Sequence, residues 1–379
     1  MKKNVLILAL ASMALSGCAN APIEQGPVEI EDALGRKISV DPSKLNKVVC
    51  IGAGALRLYS YVGDMNKLSG VEDVDHPDRT TMWKNVARPY YMANMDILRT
   101  LPSCGLGGPG AQAAEPLKIL ECEPDIIVSQ YLDVKAADDL QEDTGVPVLT
   151  VSLGSKACFD EAFYKSIENL GKAFGKSERA KTLVDYAKNT AEFIFNRTKD
   201  IADEDKPSVY LAGLGNWGQK GLYDTAANYV LFNQAHIKNA VDGRVTANGQ
   251  QKIGKELFED IGKDLDKMII DAAGLANIKT AYQTDNTIID NVKAVNEGEV
   301  YLSMAYNAYY TNIEIALMDA YFDAASVYPS YFEDLDLEAK CNEITTLFNG
   351  KALYDDIKAM GSSFGGFQKI DNLKEFLSR

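Results

Sequence analysis

Several short stretches of this chain combine cations, aromatic rings and glycine-rich backbone, the combination that holds an oxygen-bearing ligand without transforming it. Gly52-Ala53-Gly54-Ala55-Leu56-Arg57 closes an apolar run and offers a helix N-terminus to an anion, with Arg57 one turn inside. The alternative is a tight strand-to-helix turn with Arg57 on the surface. Arg88-Pro89-Tyr90-Tyr91 sets a guanidinium beside two phenols, as a binding loop or a structured surface loop. Cys104-Gly105-Leu106-Gly107-Gly108-Pro109-Gly110 can present main-chain N–H groups, but it lacks the lysine and hydroxyl residue of a nucleotide phosphate loop. Gly215 to Gly221 carries Trp217, one of two tryptophans, together with Lys220. Met304 to Asn312 holds Tyr306, Tyr309 and Tyr310 with Asn307, giving phenol and amide contacts; some of these rings could instead pack inward, with Asn312 capping the next helix. Gln130-Tyr131 is a weaker candidate of the same kind.

Catalysis would need groups that this chain does not gather. His76 and His236 are its only histidines, too few for the imidazole-rich sites of zinc or manganese and for most hydrolase bases. Five cysteines besides Cys18 lie far apart without a C-x-x-C pair. Cys50 and Cys122 sit in apolar segments and read as buried, inert thiols. A net charge of −15 argues against nucleic acid or an anionic lipid surface as partner.

The elements that must position these stretches alternate between short apolar strands and helices. Val48 to Ile51, Leu68 to Val71, Pro124 to Val128 and Val146 to Val151 are continuous apolar runs, with helical spacing over Ala55–Val62 and Pro116–Glu121. Such runs predict a parallel sheet covered on both faces. Ser177 to about Asp203 contains no glycine or proline and repeats apolar residues at helical steps, with Ser177 as its cap. It predicts a helix about 40 Å long, a strut between two lobes. The alternation resumes at Ser208 to Gly213, Lys267 to Ile270 and Glu299 to Leu302, followed by a helix over Ile313 to Ser326. The N-terminus is of another kind: Met1-Lys2-Lys3-Asn4, an apolar run from Val5 to Leu15, then Leu15-Ser16-Gly17-Cys18. The run is too short to span a bilayer and reads as a secretory signal. Its ending resembles a bacterial lipobox, which implies lipid attachment at Cys18. The expected organisation is a signal peptide over 1–17, a tether over 18–27, lobes over 28–176 and 204–379, and the connecting helix over 177–203.

The ordered set of motifs resembles the substrate-binding proteins of ABC importers for iron–siderophore complexes and vitamin B12. Asp32 to Val40 is similar to the family's N-terminal hairpin, Val48 to Arg57 to its first strand and helix, and Leu68-Ser69-Gly70-Val71 to its second strand. Glu123 to Val128 and Asn296 to Leu302 match two further strands. The resemblance implies an α/β fold of two Rossmann-like lobes with mostly parallel central sheets, joined by one long helix, with the ligand in a largely pre-formed cleft between them. It implies a monomeric, lipid-anchored, extracytoplasmic binding protein with no catalytic residues and no resident cofactor. Its cargo would be an iron(III) chelate, with cobamide, haem or an oxyanion such as molybdate or tungstate as alternatives, and no direct metal ligands. Contacts are expected from Arg57, Arg88, Tyr90, Tyr91, Trp217, Lys220, Asn307, Tyr309 and Tyr310. Partners would be the permease and its ATPase, docked through an acidic residue on each lobe. Glu256 occupies the second-lobe position; Leu117 stands where the first-lobe glutamate is expected, leaving Glu115 as the nearest substitute. An extracytoplasmic enzyme on a similar two-lobed fold is the competing reading, and no coherent nucleophile, base and metal-ligand set supports it.

Overall fold

The computed structural model describes residues 26–81, 88–108, 114–130, 132–215, 220–360 and 366–379. Cys18, the signal segment and most of the tether, Tyr131 and Trp217 lie outside these residues. Strands β1 (Val28–Glu31) and β2 (Lys37–Val40) form an antiparallel hairpin whose Ile30 and Ile38 turn into the core. Strands β3 (Val48–Ile51), β4 (Leu68–Gly70), β5 (Ile126–Ser129) and β6 (Val148–Thr150) build the first sheet in the order β4-β3-β5-β6, all parallel. Every residue of β3, β5 and β6 is buried, as expected of strands covered by helices on both faces. Those helices are α1 (Ala55–Val62), α2 (Pro89–Leu98), α3 (Pro116–Glu121), α4 (Val134–Thr144) and α5 (Glu161–Ala173).

Helix α6 (Ser177–Thr198) is the strut. Ala180, Leu183, Val184, Ala187, Thr190 and Ile194 form its buried stripe, packed on α5 at one end and on the Ile313–Val327 and Val230–Gln234 helices at the other. Its 22 residues span about 33 Å, shorter than the expected run to Asp203. Asp200, Asp203, Glu204 and Asp205 would set negative charge against the helix's negative end, and a separate turn forms at Asp203–Asp205. Ser177 is the first helical residue, and Lys176 holds the cap position without a side-chain bond.

The second sheet has the order β13-β12-β11-β7-β9, from β7 (Ser208–Ala212), β9 (Lys238–Asn239), β11 (Lys267–Asp271), β12 (Val300–Ser303) and β13 (Gln368–Ile370). Only β13 is antiparallel. Strands β8 (Asp224–Ala227) and β10 (Gly249–Lys252) form a separate antiparallel pair. The sequence gives no sign of β9, β10 or β13, which are short and largely polar or exposed. Before Cys104, Ser103 makes one isolated parallel bridge with Val71. Cys50, Cys104, Cys122, Cys158 and Cys341 are all buried and free. Among the described residues no helix is long and apolar enough to cross a membrane.

Candidate functional site

The C-terminal ends of the parallel strands in both sheets converge on one region, where open α/β sheets place their ligands. From the first lobe come the turn after β3, the segment after β4, the loop at Gly105–Gly108 and the turn after β6. From the second comes the loop between β12 and the Ile313–Val327 helix. At Gly52 φ is +83° and a Cβ would stand 2.3 Å from the Gln130 carbonyl oxygen, so only glycine lets β3 turn so close to the end of β5.

Arg57 does not face this region as a free cation. It is fully buried: Nη1 donates to the carbonyls of Tyr309 (3.0 Å) and Thr311 (2.9 Å), and Nη2 to that of Ala308 (2.9 Å). A helix residue of one lobe thus holds the tyrosine loop of the other. Arg88 is equally buried. Its Nη1 pairs with Asp75 and donates to the Tyr90 hydroxyl at 2.8 Å, while Nη2 donates to the Val74 carbonyl at 3.0 Å. Its guanidinium also lies 4.8 Å from the Tyr91 ring centre and 5.4 Å from that of Tyr309. Tyr90 and Tyr91 are core residues in the first turn of α2, with Tyr90 donating to Asp75 at 2.7 Å. The expectation that these four present themselves to a ligand is corrected for one reason. A charge or phenol taken from water this deep is held by partners inside the protein, as Arg88, Tyr90 and both Nη groups of Arg57 are here, while Arg57 Nε is buried with no partner among the described residues.

Tyr309 and Tyr310 do reach across. The Tyr309 hydroxyl donates to Glu72 Oε2 (3.1 Å) and accepts from the Gly108 N–H (2.9 Å), and the Tyr310 hydroxyl donates to the Gly154 carbonyl (3.0 Å). Glu72, just past β4, also accepts from the Gly52 N–H at 3.1 Å. Burial, reinforced by Asp75 and Asp73 and only partly offset by these bonds, pushes its carboxyl up to about 7. Sequence reasoning passed over Glu72, although its position directly after an apolar strand is a detectable signal. Asn307 is half-buried and donates to the Gly215 carbonyl at 2.8 Å, tying the tyrosine loop to the end of β7. Lys220 is half-buried, its carbonyl held by Asn277.

Beneath the tyrosine loop three more carboxyls are buried. Asp271, ending β11, accepts from the Gly215 and Ala273 N–H groups, and burial raises it to about 7. Asp319 accepts from the Met304 N–H at 3.1 Å, and Asp323, one turn further on, has an oxygen without a partner. Burial raises both, and each is near the other acids. Two acids four residues apart within an apolar helix were readable in the sequence and went unremarked.

Glu115 and Glu256 occupy equivalent places. Each sits at the start of a helix, α3 or Lys255–Gly262, that leads directly into a parallel strand and so runs antiparallel to it. Both therefore lie at the strand-end side of their sheets. Glu256 is exposed beside Glu259 and Asp260. Glu115 is partly committed, pairing with Lys118 at 2.8 Å and accepting from the Leu106 N–H at 2.7 Å, which holds it below the usual carboxylate range.

Comparison with known proteins agrees with this fold. The family described as periplasmic binding protein matches residues 118–305. An uncharacterized ABC transporter substrate-binding lipoprotein of Bacillus subtilis, YvrC, is 26% identical over 251 residues, covering 62% of this chain and 70% of its own. A periplasmic solute binding protein from Veillonella parvula superposes with a TM-score of 0.67 at 18% identity, over 89% of this chain and 97% of that one. The molybdate-bound periplasmic binding protein MolA of Haemophilus influenzae does so with 0.64 at 17% identity, over 86% and 98%. At such identities these structures speak to fold alone.

Proposed function

The chain belongs to the periplasmic binding proteins, the solute-binding components of ABC transporters, and from that premise we propose that it captures an iron(III) chelate outside the cytoplasm and delivers it to a permease and its ATPase. The observation that carries the choice of cargo is the interlobe region itself: phenols, main-chain amides and one carboxyl meet there, while both nearby arginines are spent inside the protein. A bare oxyanion asks for free cations and donors. A metal complex with an organic shell asks for aromatic walls and mixed polar contacts. Cobamide and haem share that requirement and are the alternatives within the reading. Residues 28–176 and 204–379 are the two lobes. Trp217 and Lys220 would supply further contacts from the loop after β7, and Cys18 would carry the lipid that keeps the protein beside its permease. Glu115 and Glu256 would dock the two lobes on the permease.

Calorimetry with ferric hydroxamates, ferric catecholates, a corrinoid, haem and molybdate tests the cargo. Saturable binding confined to the ferric chelates is the expected result; binding of molybdate alone would replace this reading. Radiolabelled palmitate incorporated into the wild-type chain, and lost in Cys18→Ala, would establish the anchor.

A further inference from the structure

The contact between Tyr309 and the first lobe is a built subsite with a side chain of the protein already in it. The phenol gives one hydrogen bond to a buried carboxyl, Glu72, and takes one from a main-chain amide, Gly108. Among the described residues Glu72 has no cation against it. Its hydrogen bonds come from the Gly52 N–H and the Tyr309 hydroxyl, its charged neighbours are Asp73 and Asp75, and Arg88 is committed to Asp75 and the Val74 carbonyl. Around it the walls are close: a side chain at Gly107 would begin 2.7 Å from Glu72 Oε2.

The loop that brings Tyr309 here is not held by its own backbone preference. Tyr309 and Tyr310 have φ of +53° and +65°, two successive aromatic residues in the left-handed region, a conformation that persists only when surroundings impose it. Within its own lobe the loop is tied by Asn312 to the Tyr306 and Ala308 carbonyls and by Asn307 to that of Gly215. Three of its carbonyls and both tyrosine side chains are held across the lobes: Arg57 on the carbonyls, Gly108 and Glu72 on one hydroxyl, and the Gly154 carbonyl on the other. Exchanging one of these cross-lobe contacts for another partner loosens the loop's hold on the first lobe.

We propose that Tyr309 is an internal occupant of a cargo subsite formed by Glu72 and the Gly108 N–H, and that cargo displaces it either with a hydroxyl, which donates to Glu72 and accepts from Gly108 as the phenol does, or with a protonated nitrogen, which donates to Glu72 and leaves the amide to a neighbouring acceptor of the cargo. The inference rests on the solute-binding reading and narrows it. The subsite favours a donor or a positive charge, and at a pH where Glu72 is ionised it disfavours an anionic oxygen. Tyr309 then opposes binding, the reverse of a tyrosine that simply contacts cargo.

Two readouts on the full chain test this. In the first, without any small molecule, Tyr309→Phe removes the hydroxyl but keeps the ring. Amide hydrogen exchange across 304–312 and at Gly108 should accelerate roughly tenfold, as should exchange in Glu72→Gln, with the melting curve confirming that both variants are folded. In the second, the probes are the ferric complex of a linear trihydroxamate bearing one ammonium, the same complex with that amine acetylated, and a ferric tris-catecholate. Tyr309→Phe should tighten the ammonium-bearing complex by about tenfold, since cargo no longer has to break the phenol's bonds. Glu72→Gln should erase the preference for the ammonium-bearing complex over its acetylated form. Unchanged exchange in Tyr309→Phe, or weaker binding of every probe, would overturn the proposal. If wild type and variants bind none of the probes, the ferric-chelate reading falls, and the exchange result alone decides whether Tyr309 holds the subsite.

Discussion

Arg57 shows how a residue chosen for one kind of chemistry can perform another. A guanidinium near a glycine-rich strand end is a natural anion partner, yet here it donates to three carbonyls of the opposite lobe, with its charge 5.0 Å from the centre of the Tyr90 ring. Magnitude separates the two roles. Hydrogen bonds to a buried charge contribute about 1.5–3 kcal/mol each, and leaving buried acceptors unpaired adds its own cost, so Arg57→Met should destabilise the protein by about 3–5 kcal/mol. A guanidinium standing free for cargo would cost under about 1 kcal/mol on removal. Urea denaturation of the variant distinguishes them, and a loss below 1 kcal/mol would show that the cross-lobe bonds carry little. Arg57→Lys keeps the charge but lacks the planar fork, so it should recover only part of the loss.

At the scale of elements, the strut is attached to the first lobe by a close crossing. A Cβ on Gly171 of α5 would lie 2.5 Å from the Ala180 Cβ of α6 and 3.2 Å from the Ser177 Cα, with no flexible side chain to give way. Helix propensity alone would favour alanine at this position by about 1 kcal/mol. Forcing two packed backbones apart costs about 1–3 kcal/mol, and that term should win. Gly171→Ala is therefore expected to lower stability by about 1 kcal/mol or more in thermal or chemical unfolding. Stabilisation would mean that α5 and α6 are free to separate, and that the strut is less firmly seated than its packing implies. The same close seating argues for a hinge with little freedom, since α6 packs on helices of both lobes along one continuous stripe.

For the whole molecule, the buried carboxyls set the response to pH. Glu72 and Asp271 are raised to about 7, and Glu314, Asp319 and Asp323 are also raised, in each case chiefly by burial. Their surroundings are Asp73, Asp75 and Tyr309 for Glu72, Arg57, Tyr61 and Asn349 for Glu314, and one another for the three aspartates. A carboxyl raised in the folded state binds a proton that the unfolded chain does not, so stability increases as pH falls from about 7 toward 5. The increase is about 1.4 kcal/mol per pH unit for each extra proton held. His236, lowered by burial, opposes this as a single group. Glu299 and Asp334, lowered to about 2 by lysine and arginine partners, withdraw their contribution only below about pH 4.5. The midpoint of urea unfolding should therefore be higher at pH 5.5 than at pH 8, and Asp323→Asn should narrow the difference by raising the value at pH 8. A midpoint that falls between pH 8 and 5.5 would contradict the raised carboxyls.

The order of strands and helices, the strut and the loops at the strand ends were legible because they are written locally. Continuous apolar runs, a long helical stripe and glycine-rich breaks each depend on neighbours within a few positions. Tertiary structure alone decided which polar groups of those loops face one another. Arg57 meets Ala308 across 251 positions and Glu72 meets Tyr309 across 237. A buried charge must find partners wherever the fold brings them, and no local pattern records the distance. That is why both candidate arginines are paired inside the protein, and why Glu72, marked in the sequence only by its place after an apolar strand, stands at the centre of the candidate site.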